Sequence, residues 1–219
     1  MEQVQDTFTT AVDARIIQAY KEFLLNNGQQ PASVFKFAKE LGISEDEFYR
    51  HFGSFEGVEN RIWADFIRNV IAPLQNDEGL HSFSSREKIL TFYFALFEEL
   101  KKSRSFVLLQ LKNHRKLEIT PSFLRDFKVI YEQFIAGVID QGKAAGEVAR
   151  RPFFDKRYAS VFWFHLGFLL LFWRDDNSSG FEKTDAAIEK SVNLAFDLIG
   201  KGALDSVVDF AKFIYQTKA

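Results

Sequence analysis

Four histidines, thirty carboxylates and no cysteine are the residues from which this chain could build chemistry. His51, His81, His114 and His165 are scattered along it. His114 and Glu118 stand four apart, a spacing that metals use on a helix, but two ligands do not make a site. The pair reads instead as neighbours on an exposed helix face. His165 interrupts an apolar run and reads as a hydrogen-bonded core residue. Asp175-Asp176-Asn177 lacks the remaining ligands of a calcium loop and reads as a solvated turn. No nucleophile–base spacing, Gly-rich phosphate loop or carboxylate pair occurs. The chain is therefore read as a binding protein and not an enzyme, with no metal and no cofactor. The lack of Cys removes disulfides, thiolate metal sites and thiol nucleophiles, and it fits a reducing cytoplasm. Residues 1–12 carry neither a basic nor an apolar leader region, so no signal peptide is expected.

Whatever surface these residues present must be carried by helices. The 219 residues, 47% hydrophobic and 26% charged, leave room for a small domain and a medium one with a real core. Helical spacing recurs throughout, and no sustained strand-type alternation is bounded by hairpin turns. A first helix is expected over 13–26, with Ile16, Ile17, Tyr20, Phe23 and Leu24 on one face and Gly28 as its stop. Ser33 caps a short second helix that ends near Leu41–Gly42. Ser44 caps a third, which carries Glu45, Asp46 and Glu47 in its first turn, where the helix dipole favours anions, and which closes at Phe52–Gly53. Ser54 caps a fourth running to about residue 70, and Pro73 ends that run. Further helices are expected at about 85–101, 104–115, 121–145, 155–175, 181–199 and 203–217. Thr120 and Pro121 read as the cap and first residue of the 121–145 helix.

Residues 33–52, SVFKFAKELGISEDEFYRHF, form two short helices joined by a Gly-containing turn, which defines a helix-turn-helix. Ala38 is small enough for the helices to approach, Leu41, Ile43 and Phe48 wedge them together, and Gly42 permits the positive backbone angle of the turn. The 13–26 helix packs over the pair and completes a three-helix unit. The block from Ile16 to Trp63 resembles the DNA-binding region of the tetracycline-repressor (TetR) family. Its matching features are Ile16-Ile17-x-Ala19, Phe23…Gly28, Ser33-Val34, Ala38, Gly42-Ile43-Ser44 and above all Phe48-Tyr49-Arg50-His51-Phe52, followed by a Ser-capped fourth helix. The resemblance implies an all-α, TetR-like fold. An N-terminal helix-turn-helix unit (1–54) would be joined by a connecting fourth helix (54–70) to a C-terminal ligand-binding and dimerisation domain (71–219). It further implies that Tyr49 and His51 reach DNA phosphates and that Ser33 and Ser44 cap helices whose amides meet phosphates. Glu45, Asp46 and Glu47 would face base edges, and Lys36, Lys39 and Arg50 would add electrostatic contacts. The sequence departs from the family in three places. Glu45-Asp46-Glu47 replaces a Lys-Gly-Thr-like start to the recognition helix, Phe55 replaces a phosphate-binding Lys, and Phe35 takes a place that is often basic or polar. Residues 1–70 hold seven basic and eleven acidic residues, a net charge of −4, although DNA affinity rests largely on neutralising phosphates.

Residues 158–173, YASVFWFHLGFLLLFW, are apolar on every side. The run is shorter than the roughly 20 residues of a membrane span, and no membrane association is expected. Burial between a pocket and a second subunit accounts for it better. Together with 181–199 it would form half of a four-helix homodimer interface. Phe92, Phe97, Phe127, Tyr131, Phe134, His165 and Phe168 are the candidate lining of an apolar pocket. The function expected from the resemblance is a cytoplasmic transcriptional regulator. It would bind a palindromic double-stranded DNA operator as a dimer and answer to a small hydrophobic effector. The alternative is a TetR-fold lipid or small-molecule binder with weak or lost DNA binding, favoured by the acidic recognition helix and Phe55.

Overall fold

The computed structural model describes residues 2–113, 120–151 and 157–200, with the backbone alone for 2–10 and 113. The expected helix 203–217 and the His114/Glu118 pair lie outside the described residues. Among the described residues every regular element is helical: α1 (Glu2–Asn27), α2 (Val34–Leu41), α3 (Glu45–His51), α4 (Phe55–Asn76), α5 (Ser85–Lys101), α6 (Arg104–Asn113), α7 (Arg125–Ala145), α8 (Tyr158–Asp175) and α9 (Glu182–Ile199). Short 3-10 turns occupy Glu78–Ser82, Ser122–Leu124 and Ser179–Phe181. The chain divides into two units, one of Met1–Arg68 with Glu99–Lys128 and the other of Asn69–Glu98 with Val129–Ala219.

In the first unit the caps fall where local chemistry puts them. The Ser33 hydroxyl accepts from the Lys36 amide at 3.3 Å, that of Ser44 from Glu47 at 2.9 Å, and that of Ser54 from Gly57 at 3.1 Å. Gly42 takes φ 73°, and the Gly42 and Ile43 amides close α2 on the Lys39 and Ala38 carbonyls. Helices of eight and seven residues are too short to stand alone, so tertiary burial must hold them. Phe37 supplies it: its ring lies 6.1 Å from Phe48, 5.4 Å from Phe55 and 6.3 Å from Tyr20, and Tyr20 stacks on Phe55 at 5.3 Å. The wedge is thus mainly aromatic. Ala38 and Phe48 are buried as expected, whereas Leu41 and Ile43 are only half-buried. Below this cluster the Tyr20 hydroxyl and the Gln110 amide both donate to Glu59, at 2.7 and 2.8 Å, joining α1, α4 and α6.

Three expected boundaries shift and one expected surface turn is buried, each for a physical reason. α1 begins at Glu2, not near residue 13, because extending an existing helix costs far less than nucleating one. Pro73 sits inside α4 and does not end it: the buried run Ile62, Phe66, Ile67, Val70 and Ile71 carries the helix past the missing amide to Asn76. Pro121 opens a 3-10 turn, and α7 starts only at Arg125. Asp176 is buried, not solvated; it accepts from the amides and hydroxyls of Ser178 and Thr184 and so anchors the entry to α9.

The second unit packs α5, α7, α8 and α9 through large rings, including Phe92 on Phe134 at 4.7 Å, Phe97 on Trp173 at 5.7 Å and Phe162 on Phe196 at 6.1 Å. The start of α5 meets α7 at Gly142, where a β-carbon would lie 2.6 Å from the Ser85 hydroxyl and 2.9 Å from Val148. Ser85 is buried there, its hydroxyl donating to the Val138 carbonyl at 3.1 Å and its amide to Glu147 at 2.7 Å. Gly142→Ala, which stabilises an open helix, should here destabilise the chain by about 1–3 kcal/mol through overpacking. A chemical-denaturation midpoint unchanged or raised would refute the close approach.

Candidate functional site

The outer face of α2 and α3 is where the helix-turn-helix would meet a ligand. Tyr49 points out from it, its side chain half exposed and its ring resting edge-on against Phe48 at 5.7 Å. Lys36 and Lys39 are exposed on α2, and Glu45 and Asp46 on α3. The hydroxyls of Ser33 and Ser44 are engaged as helix caps. Arg50 is held by Asp46 one turn back and lies 4.0 Å from Glu47, so the cation at the end of α3 is offset by carboxylates at its start. His51 does not share the outward direction of Tyr49. Its side chain is 9% exposed, its Nδ1 lies 2.6 Å from Asp13 of α1, and Asp13 also meets Arg61 of α4 at 3.6 Å. His51 turns inward because α1 offers it a carboxylate, and it thereby ties α3 to α1. Phe55 is buried under α2 and α3, filling the head's core from the place where the family carries a cation. Phe35 is 59% exposed.

Of the expected pocket residues, Phe92 is in ring contact with both Tyr131 and Phe134 in the second unit. Phe97 packs on Trp173, Phe127 is buried against Trp63 in the first unit, and Phe168 is exposed beside Phe172. His165 belongs to a buried polar chain. Tyr131 donates its hydroxyl to the Phe162 carbonyl at 2.7 Å, so it must accept from Tyr93 at 2.6 Å. Tyr93 then has no hydrogen left for His165, 3.2 Å away, and accepts from its Nδ1–H. The imidazole Nε2 in turn accepts from the Ser191 hydroxyl at 2.7 Å. This assigns the Nδ1–H tautomer of a neutral ring.

Sequence reasoning missed a cavity of about 440 Å³ among α4, the Glu78–Ser82 turn, α5 and α7. Of the candidate pocket residues only Phe134 lines it, together with Leu74, Leu80, Lys88 and Val138 and with polar groups that no single helix brings together. Its volume falls within the roughly 300–1,000 Å³ common for small-molecule sites. Among the described residues no group of three His, Asp or Glu is placed to hold a metal, and no helix is long and apolar enough to cross a membrane.

Burial pushes His165 down from 6.5 to about 4. The unfolded chain therefore binds the extra proton first as pH falls. The stability due to the neutral ring is complete above about 6.5 and is lost progressively down to about 4. We expect a loss of up to about 3 kcal/mol across that window. His165→Gln should flatten this part of the stability–pH profile, and an unchanged slope would remove His165 as its source.

A family model described as tetracyclin repressor-like, C-terminal domain, matches residues 88–214, more than half of the chain. No curated protein matches the chain in sequence. Solved structures share its fold, among them two regulators from Thermus thermophilus and one from Rhodococcus. The FadR repressor of Thermus thermophilus, solved with lauroyl-CoA, has a TM-score of 0.60 at 18% identity over 87% of this chain and 95% of its own. PfmR, a TetR-family regulator also from Thermus thermophilus, has a TM-score of 0.53 at 17% identity over 86% and 99%. A TetR-family regulatory protein from Rhodococcus has a TM-score of 0.52 at 19% identity over 87% and 98%. With its all-helical fold and the match over residues 88–214, the chain belongs to the tetracycline-repressor-like family of regulators.

Proposed function

We propose that the chain is an effector-controlled transcriptional regulator that docks on double-stranded DNA through α2 and α3. The observation that carries this reading is the doubly capped α2–turn–α3 unit, closed at Gly42 and holding Tyr49 outward. Residues 1–54 would be the DNA-reading head, 54–70 the connector, and 71–219 the effector and dimerisation part. Tyr49 and Lys36 are the phosphate contacts we propose. Glu45, Asp46 and Glu47 stand where recognition helices meet base edges, and carboxylates there accept from cytosine N4. Such a head trades general affinity for sequence selectivity. We assign His51 a positioning role through Asp13 in place of a phosphate contact.

Dimerisation through α8 and α9 is supported by an exposed apolar stripe, Val161, Phe164, Phe168 and Leu171 on α8 with Leu194 and Leu198 on α9. A face of that kind marks an interface. Two copies joined there would read a palindrome from the cytoplasm. The effector we propose is apolar in its larger part, a reading supported by the ring-lined second unit and by the lauroyl-CoA of the FadR structure. A second reading, a small-molecule binder that no longer docks on DNA, is favoured by the net charge of −4 over residues 1–70 and by the pairing of Arg50 with Asp46.

A titration of the full chain against the DNA upstream of its own gene separates the two. Binding that weakens about tenfold or more between about 50 and 200 mM salt is expected for the regulator. The double change Glu45→Lys with Glu47→Thr should raise affinity for unrelated duplex about tenfold, since it removes two carboxylates facing phosphate. No DNA affinity in either protein would leave the second reading standing.

A further inference from the structure

We infer that the cavity among α4, the Glu78–Ser82 turn, α5 and α7 takes an amphipathic carboxylate, its anionic head at Lys88 and its apolar body toward Phe134. This rests on the proposed effector role of the second unit and adds the charge class of the ligand. The polar groups around the cavity are Gln75, His81, Lys88, Gln133 and Gln141, and no carboxylate is among its lining residues. An ammonium, an imidazole and three carboxamides can all donate to an anion, and nothing there repels one. A ligand cation would meet Lys88 with no acid to offset it. The ammonium of Lys88 already donates to Gln141 across the α5–α7 seam at 2.9 Å. That bond fixes its direction and leaves two of its three donors for a ligand.

The rest of the lining is apolar: Leu74 and Leu80 at one side, Phe134 and Val138 at the other. Phe134 is anchored by a tilted ring contact with Phe92 at 4.7 Å. The lining includes Gly137, an exposed position where an added β-carbon would meet nothing within 4 Å. A glycine in the middle of a helix is destabilising relative to alanine. Here its effect is to leave room beside Val138. The same seam is kept narrow at Gly142, about a turn and a half further along α7, by the close approach of Ser85.

The test is calorimetric titration of the full-length protein with decanoate, decanol and decyltrimethylammonium, each below its micelle concentration. Decanoate should bind one per chain and about tenfold tighter than decanol, the scale of one hydrogen bond to a charged group. Decyltrimethylammonium should bind more weakly than either. Lys88→Met should lower decanoate affinity to that of decanol and leave decanol within about twofold. Gly137→Leu should abolish binding of all three without lowering the melting temperature, because it fills open space and improves helix propensity. Equal affinity for acid and alcohol, a preference for acid that survives Lys88→Met, binding that survives Gly137→Leu, or no binding of any probe would each overturn the inference. The DNA titration needs no effector, so failure here with DNA binding intact removes the carboxylate site alone, and the converse removes the regulator reading.

Discussion

Two helices of eight and seven residues cannot hold themselves in water, and the head depends on the burial that Phe37, Phe48 and Phe55 give them against Tyr20 of α1. Everything on the outer face follows from that inner packing. With Phe48 turned in, its neighbour Tyr49 must turn out, and the caps at Ser33 and Ser44 fix where each helix begins. Phe55 shows how one residue shifts the balance. A cation at the start of α4 would add to the outer face; an aromatic ring there strengthens the core and leaves the face poorer in positive charge. The head is well built as a scaffold and weakly charged as a DNA binder.

The same economy governs charge within α3. Glu45, Asp46 and Glu47 suit the helix dipole at its N-terminus, and Arg50 and His51 suit it at the C-terminus. Those placements stabilise the helix, yet they also let Asp46 hold Arg50 and let Asp13 draw His51 away from solvent. In the second unit the polar groups are spent in another way. Tyr93, Tyr131, His165 and Ser191 satisfy one another in a directed chain, which allows phenols and an imidazole to lie among rings without an unpaired donor.

The parts of this structure that depend on neighbours in sequence were legible in it. Ser33, Ser44 and Ser54 cap, Gly28 and Gly42 take positive φ, and the α-helical class follows from spacing alone. Of the residues expected to wedge the two helices, Ala38 and Phe48 are buried in the head's core, although nothing in the sequence marked Phe37 as its centre. What depends on packing was not legible. Proline chemistry argues for a stop at Pro73, but a buried apolar face overrides it. The family resemblance turns His51 outward, but it faces inward because Asp13, far off in sequence, lies beside it in space. The cavity draws one or two residues from each of several elements, and its glutamines have no periodic signature. Of the aromatic residues read as pocket lining, Phe134 alone lines the cavity, and Phe92 and Tyr131 are buried core.

The central claim is that a pair of α2–α3 heads grips one duplex. Hydroxyl-radical footprinting of the full-length protein on the DNA upstream of its gene tests it most directly. Two protected patches on one face of the duplex, centred roughly 34–36 Å apart, are the expected result. Uniform cleavage at saturating protein, or a single unpaired patch, would contradict it.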